Sequence, residues 1–188
     1  GWRSAQRFKL VDEVGEGWVK LTLRHPDADY DWEALATRLK TELQLELSWF
    51  QNASVAVFKV HAEEATLREW LSEEAADVLI LSVGQSIEIL KEVGLPEKIA
   101  ETFNLEGMKG SHIIGHTRMA TESAVTMEGS HPFSTGMDLC LVHNGSLSNH
   151  NRLRENLKRE GIAFETQNDS EVAAGYLTWR LQEGDSLK

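Results

Sequence analysis

Three short segments carry residue types that could do chemistry together: Gly115-His116-Thr117-Arg118-Met119-Ala120-Thr121, His143-Asn144-Gly145 and Asn168-Asp169-Ser170-Glu171. The Arg118 guanidinium offers a planar fork suited to an α-carboxylate. Asp169, at the start of an expected helix, can accept hydrogen bonds from an α-ammonium. The Asn144 amide and the Gly145 N–H can form an oxyanion hole, glycine allowing backbone to approach a ligand closely. That inventory binds a free amino acid by both charged ends and stabilises a tetrahedral intermediate on its side chain. Each segment also has an ordinary structural reading. Arg118 could pair with a surface carboxylate, Asn144-Gly145 could be a hairpin turn, and Asp169 could be a helix N-cap.

The elements that must position these residues are expected from periodicity. Asp138–His143 reads as a strand broken by Asn144-Gly145, and His112–Arg118 as another, with a loop through Phe133 between them. Ser148–Glu160 reads as a helix turning Leu153 and Leu157 inward and stopped by Gly161. Ala163–Thr166 reads as a short strand and Asp169–Gln182 as a helix. Earlier in the chain, Phe8–Val14 and Trp18–Leu23 read as strands joined through Gly15-Glu16-Gly17. Val19, Leu21 and Leu23 alternate with polar residues, the pattern of a half-buried strand. A helix face follows through Trp32, Leu35, Ala36, Leu39, Leu43 and Leu47, with Asp31 as N-cap. Then come a strand at Val55–Val60, a helix at Glu63–Ala75, a buried strand at Val78–Val83 and two helical stretches, Ser86–Val93 and one opened by Pro96.

Composition places the chemistry late in the chain and narrows its class. Nine of the 14 glycines and five of the 7 histidines fall after Asn104, so the polar, turn-rich part begins there. The 188 residues, 41% apolar with 3 prolines, can build a proper core. A net charge of −11 disfavours binding to nucleic acid or to an anionic membrane surface. The basic run Arg152, Arg154, Lys158, Arg159 reads as one solvated helix face. The single cysteine, Cys140, excludes an intrachain disulfide framework. No apolar run approaches a membrane span. A soluble, acidic, cytoplasmic protein is expected. Because the chain opens on Gly1 and closes on a helix-like run, a fragment or a processed chain is expected as well.

In combination, Ile114–Thr121, Ser130-His131-Pro132-Phe133, Leu141–Gly145 and Asn168–Glu171 resemble the glutaminase domain of class II glutamine amidotransferases, members of the N-terminal-nucleophile hydrolases. Within that family the chain resembles the stand-alone subunits related to the first domain of glutamate synthase, including N-methylglutamate synthase subunits. Met119 and Glu122 favour that branch over the sugar-phosphate enzymes.

The resemblance implies an α+β fold, a four-layer αββα sandwich incomplete at both ends and carrying an α/β insertion. Residues 1–104 would hold sheet-edge strands plus the insertion, and residues 105–188 a truncated substrate-binding core. It implies that Arg118 binds the glutamine α-carboxylate and Asp169 its α-ammonium. Asn144 and Gly145 would form the oxyanion hole, while Thr121 and His143 line or support the pocket. The reaction implied is glutamine to glutamate and ammonia, passed to an acceptor on a partner synthase subunit that could carry flavin. No cofactor is implied for this chain itself, and oligomerisation stays open.

The family's nucleophile is an N-terminal cysteine whose own α-amine, with a pKa of about 8, acts as base. Residue 1 here is glycine, and Cys140 sits inside an expected strand with its nitrogen in a peptide bond. The chain alone is therefore expected to be inactive. The alternative is a glutamine-binding or scaffold module that has lost the nucleophile. His112, His116, His131, His143 and His150 raise the question of zinc, but the chain lacks an HExxH pattern and no metal is expected. In the full-length protein, Arg118→Ala should raise the KM for glutamine by about tenfold or more, a charged pair being lost. Steady-state kinetics matching the wild type would remove Arg118 from that role.

Overall fold

A computed structural model describes residues 14–117 and 126–186, and it is an α+β structure. Strand β1 (Trp18–Arg24) starts where Gly17 turns the chain at φ +76°, against the His61 ring. Helix α1 (Trp32–Glu42) is capped by Asp31, whose carboxylate accepts the Ala34 N–H at 2.9 Å. It buries Trp32, Leu35, Ala36 and Leu39. The expected apolar face does not run on to Leu47. That residue opens strand β2 (Leu47–Asn52), which a two-residue turn joins to β3 (Val55–His61). Helix α2 (Glu64–Glu74) follows, packing through Leu67, Trp70 and Leu71, and the chain then enters β4 (Leu79–Gly84).

The four strands form one antiparallel sheet in the order β2-β3-β1-β4. With α1 and α2 this is the split β-α-β-β-α-β arrangement. Both helices bury their apolar stripes with Val19, Leu21, Leu23, Ala56, Phe58 and Val60 in one core. Trp70 Nε1 donates to Glu42 at 2.9 Å, joining the helices to each other.

The opposite sheet face is covered too, which corrects the half-buried reading of β1: Lys20 and Thr22 are only 1% and 0% exposed. Residues 85–95 cross that face and lead into α3 (Pro96–Thr102), so that Ile89 and Phe103 bury Val55 and Leu81. The helix expected at Ser86–Val93 is absent. The chain there runs irregularly instead, with the Gln85, Ser86 and Ile87 N–H groups donating to the Asp138 carboxylate at 2.8–3.1 Å and that of Ile89 to Ser82 Oγ. Lys20 pairs with Glu88, and Ser54 donates to Glu92 at 2.8 Å, so this strap is fixed to the sheet along its length.

The later part is built on a two-stranded hairpin, β5 (Phe133–Gly136) and β6 (Leu139–Leu141), so a strand begins where a loop through Phe133 was expected. The hairpin meets the first sheet at β4. Met137 bridges Val83, and Asp138 N–H donates to Val83 O at 3.0 Å. Gly84 is required at this joint, because a Cβ there would strike the Asp138 carboxylate. Helix α4 (His150–Arg159) and helix α5 (Asp169–Gln182) enclose Leu157, Ile162 and Val172. Helix α5 lies across the hairpin with Thr178 against Gly136. Residues 112–117 make no strand, and Ile113 is 88% exposed. The expected strand at Phe8–Val14 lies outside the described residues except for Val14, which is in no strand.

The expected strand at Ala163–Thr166 is replaced by a loop with a different source of order. The Glu165 and Thr166 N–H groups donate to the Glu171 carboxylate at 2.7 and 2.8 Å instead of to a neighbouring strand. Arg154 donates to the carbonyls of Thr166 and Asn168 and lies 3.9 Å from Glu171. Arg154 is 4% exposed, which corrects its reading as part of a solvated basic face. Removing one partner of such a buried network leaves the other uncompensated. Arg154→Met should therefore lower the unfolding free energy by about 3 kcal/mol in urea titrations. An unchanged urea midpoint would show that Arg154 does not hold this loop.

Candidate functional site

The first turn of α5 collects the site. Asn168 is the N-cap, its side-chain oxygen accepting the Ser170 N–H at 2.8 Å. The N-cap reading of Asp169 is thereby corrected. Asp169 is the first helical residue, and its carboxylate is directed at the loop after β6, where Oδ2 accepts the Leu147 N–H at 2.6 Å. Burial tends to raise its pKa. The Leu147 and Ser170 N–H groups and the nearby His143 and His150 outweigh that and hold it below the usual carboxylate value. Asp169 is thus an anion at neutral pH, at the positive end of a helix dipole.

His143 is docked on the same turn, its Nδ1 within 3.1 Å of Ser170 Oγ. Asn144 and Gly145 are exposed on the loop between β6 and α4 and form no hairpin. Gly145 packs close under the His143 ring, where a Cβ would lie 2.8 Å from Nε2 and push the ring aside. His143, Asn144, Gly145 and Asp169 therefore share one loop–helix junction. Beside it an open apolar cleft of about 390 Å³ runs between His143, Leu147, Leu153 and Tyr176. Arg118 and Thr121 lie outside the described residues.

The roles of three side chains escaped sequence reading. Ser170 bonds His143, and Glu171 with Arg154 fixes the approach to Asn168. The signal for Glu171 was present in its place one turn into an acidic helix start. Nothing in the spacing of Arg154 separates it from its solvated neighbours. Cys140 is half-buried in β6, and burial pushes its thiol pKa up, away from nucleophilic use. The His116 and His131 rings meet at 4.6 Å between centroids, tilted by 49°. Among the described residues no three His, Cys, Asp or Glu side chains are placed to hold a metal ion, and no helix is long and apolar enough to cross a membrane.

Comparison with known proteins bears on this junction directly. Residues 105–182 match the family described as a glutamine amidotransferase domain. The glutamine amidotransferase-like protein GlxB of Rhizobium meliloti (strain 1021) is 51% identical over 179 residues, covering 95% of this chain and 59% of that protein. Glutamine--fructose-6-phosphate aminotransferase [isomerizing] of Vibrio parahaemolyticus serotype O3:K6 is 33% identical over 119 residues, 63% of this chain and 19% of that enzyme. The enzyme of that name from Xylella fastidiosa (strain 9a5c) is 35% identical over 119 residues, again 63% and 19%. The chain thus spans about three fifths of the first relative and about a fifth of the other two. No solved structure matches the chain. Residues 105–182, with the α5 turn and the His143–Gly145 loop inside them, belong to the glutamine amidotransferase domain family, of class II.

Proposed function

We propose that residues 105–182 form the glutamine-holding part of a glutaminase site whose ammonia passes to an acceptor on a partner subunit. The observation that carries this reading is the Asp169 carboxylate. It is ionised, anchored by one oxygen to Leu147 N–H, and set beside the His143-Asn144-Gly145 loop. Asp169 accepts the glutamine α-ammonium, and Arg118 receives the α-carboxylate. Asn144 and Gly145 stabilise the oxyanion formed when the side-chain amide is attacked, with His143 and Thr121 supporting the pocket. A charged acceptor with one oxygen already fixed is pre-organised, so little ordering cost remains on binding.

The nucleophile in this reading comes from outside the 188 residues, since Cys140, the only cysteine, is held in a strand with a raised pKa. The enclosing fold would be the αββα sandwich, and the β-α-β-β-α-β unit its insertion. The likeness to GlxB extends over 95% of the chain, against 63% for the fructose-6-phosphate aminotransferases, and Met119 and Glu122 are what support the glutamate-synthase-related branch. A synthase subunit, with or without flavin, is then the acceptor's source.

Titration calorimetry on the full-length protein tests the Asp169 role. L-Glutamine should bind about a hundredfold more tightly than its analogue lacking the α-amine, a charged hydrogen bond being at stake. Asp169→Asn should bring the two affinities close together. Equal affinities in the wild type, or an Asp169→Asn variant that keeps the discrimination, would refute the assignment.

A further inference from the structure

We propose that Lys91 is a positioning residue for the glutamine site, holding the Ser130–Phe133 loop against the N-cap of α5 from the strap outside the family-matched segment. The inference rests on the glutamine-binding reading for its kinetic consequence, and on geometry alone for its mechanical one.

Lys91 is 8% exposed, which is unusual for a lysine and calls for compensation. Its ammonium donates to Ser130 O at 2.8 Å and lies 4.9 Å from the centre of the Phe133 ring, so it grips both ends of the loop that opens β5. The preceding carbonyl, Gly129 O, is reached by Asn168 Nδ2 in a longer contact of 3.5 Å. Asn168 in turn caps α5 through Ser170 N–H, and Ser170 bonds His143. One continuous run of polar contacts therefore leads from the strap to both His143 and the turn that presents Asp169.

The charge is in place to do this. Burial lowers the Lys91 pKa to about 8, while the carboxylates of Glu171 and Glu128 pull it back up, so the amine is mostly protonated at neutral pH. The far end of the run is equally well fixed. The strap carrying Lys91 is tied to the sheet by Lys20–Glu88, by Ser54–Glu92 and by the Ser82 hydroxyl. Besides the joint at Asp138, where the hairpin meets β4, the β-α-β-β-α-β unit thus reaches the α5 turn through the Lys91 side chain. A change in how that unit sits would be felt at Asp169.

Two readouts on the full-length protein test this. By hydrogen exchange, Lys91→Met should raise amide exchange across residues 127–133 and 168–171 while leaving β1 and β3 as in the wild type. In glutaminase kinetics the same variant should raise the KM for glutamine by about tenfold with kcat within about threefold. Lys91→Arg, keeping charge and donors, should restore both. Unchanged exchange in the two segments overturns the proposal whatever the kinetics show. So does loosening of β1 and β3 to the same extent, which would make Lys91 an ordinary core member. If the wild type neither binds nor turns over glutamine, the functional reading fails, and exchange alone still decides the role of Lys91.

Discussion

Four consecutive residues at the start of α5 direct their polar atoms four different ways, and the later half of the protein is organised around that turn. Asn168 closes the helix end, and Asp169 captures the loop after β6 through Leu147 N–H. Ser170 meets His143, and Glu171 receives the backbone of residues 165 and 166. A helix N-terminus leaves N–H donors without intrahelical partners, and here Asn168 takes one of them while the next three side chains make tertiary contacts. The positive end of the helix dipole favours the two carboxylates in this turn.

The same device recurs where the two halves meet. The Asp138 carboxylate gathers three successive backbone N–H groups of the strap, and its own N–H extends the edge of β4. Carboxylates that collect backbone donors order irregular chain as firmly as a strand ladder would, because each bond involves a charge. Both segments ordered in this way, 85–87 and 165–166, lie where regular structure was expected and is absent. The site is consequently held by loops with fixed geometry, not by the sheet itself.

That pattern explains what could be read in advance. Helix α5 occupies the expected Asp169–Gln182, and α1 begins at its expected cap, because local capping chemistry and apolar spacing agree there. β1, β3 and β4 were legible within a residue or so for the same reason. Strand β2 was missed because Leu47 continues the apolar spacing of α1, and only pairing with Val60 claims it for the sheet. Ser86–Val93 has helical spacing, yet the segment is laid across the sheet and tied down by Asp138, Ser82, Lys20 and Ser54, long-range partners that no local pattern shows. Arg154 and Lys91 look like surface cations in the sequence. Their burial depends on carbonyls far along the chain that no local pattern reveals. His143, Asn144, Gly145 and Asp169, singled out by their types in combination, lie at one junction. The division of labour between Asn168 and Asp169 was not.

The central claim is that this junction is built to hold an amino acid by its ammonium group. A crystal structure of the full-length protein with L-glutamine bound tests it most directly. The account predicts the α-ammonium within about 3 Å of the Asp169 carboxylate, hydrogen-bonding distance, and the side-chain amide beside Asn144 and Gly145. Glutamine bound with its ammonium group away from Asp169, or seated elsewhere on the molecule, would contradict it.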